Sequence, residues 1–160
     1  PTCGDWDGDG VDDLSLYRSD NKLLIDYSRG SVQGLGHWND VLPLAGLAGT
    51  YDFPSLLVTN GDYDGDGLQD FCLVTPYASM TYLDLGYNGY GYWEISIPNP
   101  QTPSGYILTE ICSGDWDGDG LEDVCYRYHD PSSANTAFKI DFSYNGFVGI
   151  DKSHFFTNSN

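Results

Sequence analysis

Hydrophobic positions along the chain come in short runs with a two-residue period rather than a helical one. Leu24-Ile25-Asp26-Tyr27-Ser28, Tyr82-Leu83-Asp84-Leu85-Gly86 and Lys139-Ile140-Asp141-Phe142-Ser143 alternate in this way, and each carries one aspartate. Alternation with branched and aromatic residues is the mark of half-buried β-strands. Shorter apolar stretches precede them: Leu14-Ser15-Leu16-Tyr17, Phe71-Cys72-Leu73-Val74 and Val124-Cys125-Tyr126. Two more runs, Ser55-Leu56-Leu57-Val58-Thr59 and Tyr106-Ile107-Leu108-Thr109-Glu110-Ile111, read as strands between these groups. No long stretch has apolar residues at helical spacing, and 20 Gly and 8 Pro break the chain throughout. The pattern predicts an all-β fold. Its longest apolar run, Val41 to Gly49, is interrupted by Pro43, Gly46 and Gly49, so nothing approaches the ~20 residues of a membrane-spanning helix.

The strands are organised by a repeat. Gly4-Asp5-Trp6-Asp7-Gly8-Asp9-Gly10-Val11-Asp12-Asp13 returns as Gly61-Asp62-Tyr63-Asp64-Gly65-Asp66-Gly67-Leu68-Gln69-Asp70 and as Gly114-Asp115-Trp116-Asp117-Gly118-Asp119-Gly120-Leu121-Glu122-Asp123. An interval of about 55 residues suits one four-stranded β unit with its turns. Three tandem units result, about residues 1–60, 61–113 and 114–160.

The repeated loop has the chemistry of a hard-cation site. Calcium takes six to eight oxygen ligands, mixing carboxylates with a backbone carbonyl and water. Carboxylates at alternate positions 1, 3 and 5 converge where glycines let the chain curl. The ligand set expected in the first loop is Asp5, Asp7, Asp9, the Val11 carbonyl and Asp13. The second offers Asp62, Asp64, Asp66, the Leu68 carbonyl and Asp70, and the third Asp115, Asp117, Asp119, the Leu121 carbonyl and Asp123. Gly10, Gly67 and Gly120 take the sharp-turn position. An EF-hand opens in the same way but closes with Glu at position 12, where this chain has Leu16, Leu73 and Tyr126. Three calcium ions, structural in role, are the expectation. Asp-Gly pairs also make ordinary hairpin turns, but at least four carboxylates in nine residues, three times over, repel one another without a cation.

This Asp-x-Asp-Gly-Asp-Gly-x-x-Asp loop, with the turns Gly34-Leu35-Gly36-His37-Trp38 and Gly89-Tyr90-Gly91-Tyr92-Trp93 after it, resembles the FG-GAP and VCBS repeats of integrin-α-like β-propellers. The third unit keeps only Asn145-Gly146-Phe147 of that turn. The resemblance implies four-stranded antiparallel blades, with calcium in the loop between a blade's first and second strands. Propellers close with about four to eight blades, so three units are expected to be part of a longer propeller or to be completed by another copy. Two copies joined head-to-tail make a six-bladed ring, and contacts that do not close make a fibre.

Charge narrows the partners. With 24 Asp+Glu against 6 Lys+Arg and a formal net charge of -18, the chain lacks the basic stripe that nucleic acid requires, and an anionic membrane surface is excluded on the same ground. The twelve carboxylates expected as ligands in the three loops are half of the acidic residues, so the acidity speaks for calcium more than for a cationic partner. The first residue is Pro1 and the one methionine is Met80, which fits a processed product or a piece of a longer chain. Four cysteines without a Cys-x-x-Cys pair point to disulfides outside the cell rather than zinc. Connectivity stays open, although Cys112 and Cys125 flank one loop and face each other if it joins a hairpin.

Other residues give weaker signals. His37, His129 and His154 share no repeat position and read as ordinary surface or turn residues. Neither Gly-x-Ser-x-Gly nor His-Glu-x-x-His occurs, and no enzyme activity is expected. Asp26, Asp84 and Asp141 recur in every unit, as a repeated structural hydrogen bond would. Trp6, Tyr63, Trp116 and the ring-rich segment 87–93 suit packing between blades, or alternatively stacking against sugars. The expected function is a secreted, calcium-stabilised propeller module that binds extracellular glycan or protein. The alternatives are a subunit of an extracellular assembly or fibre, and an accessory domain of a polysaccharide-degrading enzyme.

Overall fold

A computed structural model describes residues 1–18, 20, 22–28, 38–43, 56–76, 79–86 and 89–157. Within them the chain forms three four-stranded antiparallel sheets, each in simple sequential order. The first sheet holds β1 (Thr2–Gly4), β2 (Asp13–Arg18), β3 (Lys22–Asp26) and β4 (Asp40–Pro43). The second holds β5 (Leu57–Gly61), β6 (Asp70–Thr75), β7 (Met80–Asp84) and β8 (Ile95–Pro98). The third holds β9 (Ile107–Gly114), β10 (Asp123–His129), β11 (Thr136–Asp141) and β12 (Lys152–Phe156). The expected all-β architecture of blade-like units is present, and the three sheets do not close a ring. No helix of the described residues is long and apolar enough to cross a membrane. Each acidic loop joins the first and second strands of a sheet, as expected. The strand before a loop pairs with the strand after it, so the sheets begin a few residues upstream of residues 61 and 114.

The third strand of each sheet ends on its aspartate, two residues earlier than the alternation suggested, and the reason is local. Beyond Asp26, Asp84 and Asp141 the next amide is captured by a side chain: Tyr27 N–H donates to Asn39 Oδ1 at 2.8 Å, Leu85 N–H to Glu94 Oε2 at 2.9 Å and Phe142 N–H to Asp151 Oδ2 at 2.9 Å. The following amide is captured as well, by the closing aspartate of the loop. A backbone donor satisfied by a side chain no longer extends the ladder.

Two apolar clusters fill the spaces between sheets. One joins the first and second sheets through Trp6, Leu23, Ile25, Phe71 and Leu73, and the other joins the second and third through Tyr63, Val74, Leu83, Val124, Tyr126 and Phe147. Burial along the second strands follows from this stacking. All six residues of β6 are buried, because a neighbour covers each face, whereas β2 alternates between buried and half-buried residues from Asp13 to Leu16 and ends on an exposed Arg18.

The disulfide expectation is met in strand register but not in bonding distance. Cys112 and Cys125 do stand directly opposite each other on β9 and β10, yet none of the four cysteines lies at disulfide distance from another. The equivalent positions of the other sheets hold Thr2 opposite Ser15 and Thr59 opposite Cys72. This is thus a cross-strand pair site for small side chains, and opposition does not require a covalent bond. Cys72 is fully buried, and burial pushes its thiol up to about 12; burial also pushes Cys125 up to about 12, with Cys112 beside it adding to the rise. Since the thiolate is the nucleophile, a thiol reagent should label the exposed Cys3 and Cys112 in the native protein and all four cysteines after denaturation. Four unreactive sulfurs in the denatured, unreduced protein would instead demonstrate disulfides.

Candidate metal centres

Each acidic loop is wound by its own carboxylates. In the first, Asp5 Oδ1 accepts from the Gly8 amide at 2.7 Å and Oδ2 from Gly10 at 2.8 Å; Asp7 accepts from Asp9, and Asp9 from Val11. The second and third loops repeat these bonds at the same positions. The winding needs left-handed backbone at two glycines per loop, and Gly8 (φ 76°) and Gly10 (φ 85°) have counterparts in Gly65, Gly67, Gly118 and Gly120. The sequence had marked only the second glycine of each pair as the turn.

Winding gathers oxygen atoms. Asp5, Asp7 and Asp13 bring one carboxylate oxygen each to within 4.8 Å of one another, and so do Asp62, Asp64 and Asp66, and Asp115, Asp117 and Asp123. The first and third triads use positions 1, 3 and 9, and the second uses 1, 3 and 5. Of the expected ligands, Asp9, Asp70 and Asp119 stand outside these triads. Both Asp9 and Asp119 direct one oxygen to the amide two residues on. The donors at position seven are the amides of Val11 and Leu121, and Leu68 donates to Asp66 in the same way.

The closing aspartate has a second role that spacing alone did not reveal. Asp13 Oδ2 accepts from the Trp6 amide at 3.0 Å and Oδ1 from the Ser28 amide at 2.7 Å. Asp70 does the same with Tyr63 and Gly86, and Asp123 with Trp116 and Ser143. These buried carboxylates staple the loop to the end of the third strand. Burial pushes Asp70 up to about 7 despite its two amide donors, with Asp64 and Asp66 adding to the rise. Asp64 is raised by burial and by the charges of Asp66 and Asp62. A donor set of clustered, mutually repelling carboxylates fits a hard divalent cation, which supplies the missing positive charge.

Asp26, Asp84 and Asp141, where the sequence suggested a repeated structural hydrogen bond, are all buried. Asp84 Oδ2 accepts from the Gly91 amide at 2.5 Å, while Oδ1 of Asp84 and of Asp141 is buried without a hydrogen bond. Burial raises both carboxyls to about 7. His129 and His154 are not part of the loops, and His37 lies outside the described residues. Trp6 and Tyr63 do pack between sheets, Trp6 against Tyr90 with ring centres 5.0 Å apart and Tyr63 against Phe147 at 5.7 Å.

Stacked four-stranded sheets with an acidic loop between first and second strands define a propeller-type repeat module. Residues 62–126, from the second loop through the third, match the family model of the FG-GAP-like repeat, which bears out the resemblance drawn from the loops. No curated protein matches the chain.

Proposed function

We propose that this chain is a calcium-binding, extracellular propeller-type module that binds glycan or protein and performs no catalysis. The observation that carries the calcium reading is the threefold repetition of a carboxylate triad on glycine-wound loops. Asp5, Asp7, Asp9 and Asp13, with the Val11 carbonyl, hold the first ion; the matching residues of the other loops hold two more. The loops are largely solvent-exposed, so an ion held there exchanges with calcium in solution. Exposed rings such as Trp38 and Tyr92 offer flat apolar faces for a sugar or a protein loop.

Calorimetric titration of the calcium-free chain tests the reading. Three ions per chain are expected, and Asp64→Asn, which changes one exposed ligand without touching the buried staple, should reduce the count to two. Absence of binding heat at millimolar calcium would refute the calcium reading. A glycan array probed in calcium then separates a sugar ligand from a protein one.

A further inference from the structure

The two inter-repeat interfaces follow one scheme, and among the described residues the outer repeats each present a half of it that no other repeat covers. At loop position eight, the Gln69 amide donates to the Asp5 carbonyl of the preceding repeat at 3.1 Å, and the Glu122 amide to the Asp62 carbonyl at 3.0 Å. At position seven, Leu68 lies over Gly8 and Leu121 over Gly65, so close that a Cβ on either glycine would stand 2.9 or 2.7 Å from a leucine methyl. At position two, the aromatic of the preceding repeat is sealed, leaving Trp6 2% and Tyr63 3% exposed.

In the third repeat the same receiving surface is open. Trp116 is 43% exposed, and no described atom lies within 4 Å of a Cβ placed on Gly118. The Trp116 ring folds over Gly114, into the place that Gln69 and Glu122 take over Gly4 and Gly61. The first repeat carries the complementary surface. Val11, at position seven, is 46% exposed, and Leu14 and Leu16 are half-buried where the equivalent Phe71 and Leu73 of the second repeat are fully buried.

We infer that the first-repeat face of a second copy of this chain docks on the third-repeat face, continuing the stack between molecules. The docked copy places Val11 over Gly118, its Asp12 amide at the Asp115 carbonyl, and its Leu14 and Leu16 against the sheet behind Trp116. Because the two faces differ, the contact is head-to-tail: it closes into a ring or grows into a filament. The occupant is specified by continuity with the two interfaces inside the chain, and the inference goes beyond the calcium reading.

Sedimentation velocity in millimolar calcium, over a wide range of protein concentration, tests it. The parent chain is expected to show a reversible, concentration-dependent mass above that of one chain. Val11→Arg blocks one face and Trp116→Arg the other; both side chains are exposed, Val11 lends its loop a backbone carbonyl only, and circular dichroism with a calcium titration of each variant checks that fold and ion binding survive. Each variant alone should associate at least about tenfold more weakly, as for a central interface residue. An equimolar mixture should recover a two-chain species that does not grow, since one intact face of each kind remains. A mass of one chain at every concentration overturns the inference and assigns these faces to further repeats of a longer chain. Association that both substitutions leave intact, or that the mixture fails to recover, overturns it as well.

Discussion

Excess chelator is expected to lower the melting temperature by about 15 °C or more, the largest effect foreseen for any change of condition. A ligand that binds only the folded state adds about 2.7 kcal/mol when present at ~100 times its dissociation constant. Three such sites together approach the whole net stability of an ordinary domain, about 5–15 kcal/mol. The structure adds a reason for the contribution to be global. Each loop is tied through Asp13, Asp70 or Asp123 to the end of its third strand, and the first two are tied through the Asp5 and Asp62 carbonyls to the next repeat. Removing the cation leaves clustered carboxylates at the points where sheets join, so repulsion there loosens the stacking and not only the loop. Differential scanning calorimetry in calcium and in chelator gives the comparison. Readdition of calcium should restore the transition, whereas magnesium, which is reluctant to shed its waters, should restore little of it. Superimposable melting curves in the two conditions would show that the loops are ordinary turns.

The parts of this fold that were legible in the sequence are those where one physical demand dominates a position. Strands two and three sit between apolar layers, so their alternation is strong and they were found. The fourth strands β4 and β8 have exposed and half-buried residues in alternation, and β12 is exposed throughout. Without a burial demand, composition carries no period to read. The loops were legible because glycine and aspartate are each required there for a separate reason, one for backbone and one for charge. The double duty of Asp13, Asp70 and Asp123 was not, because their second donors at Ser28, Gly86 and Ser143 come near only after the hairpin folds. A signal did exist: Asn39 and Glu94, which cap the same turn, each directly follow a tryptophan, Trp38 and Trp93. The cysteines give the opposite lesson. Register placed Cys112 across from Cys125, as expected, but register is a property of the backbone, and whether two opposed sulfurs bond is a matter of distance and redox.

Phe71→Ala should be the most damaging single substitution in the inter-repeat packing, costing about 3–5 kcal/mol. Phe71 is fully buried, and its ring joins the first two sheets. Trp6 and Tyr17 of the first repeat lie with ring centres 6.3 Å away, and Trp93 of the second at 6.2 Å. Three rigid rings cannot collapse into the space a benzyl group leaves, so the cavity persists and its cost adds to the lost burial. Leu14 occupies the same repeat position in the first sheet, where it is only half-buried. Leu14→Ala in dilute protein should therefore cost well below the roughly 2–5 kcal/mol of a buried leucine. Urea titrations followed by circular dichroism in calcium measure both. Equal costs for the two substitutions would mean that stacking of sheets does not set the stability of this chain. The pair also reports on the open face. If a second copy covers Leu14, the cost of Leu14→Ala rises with protein concentration while that of Phe71→Ala stays constant, because only the first of these positions gains a neighbour on association.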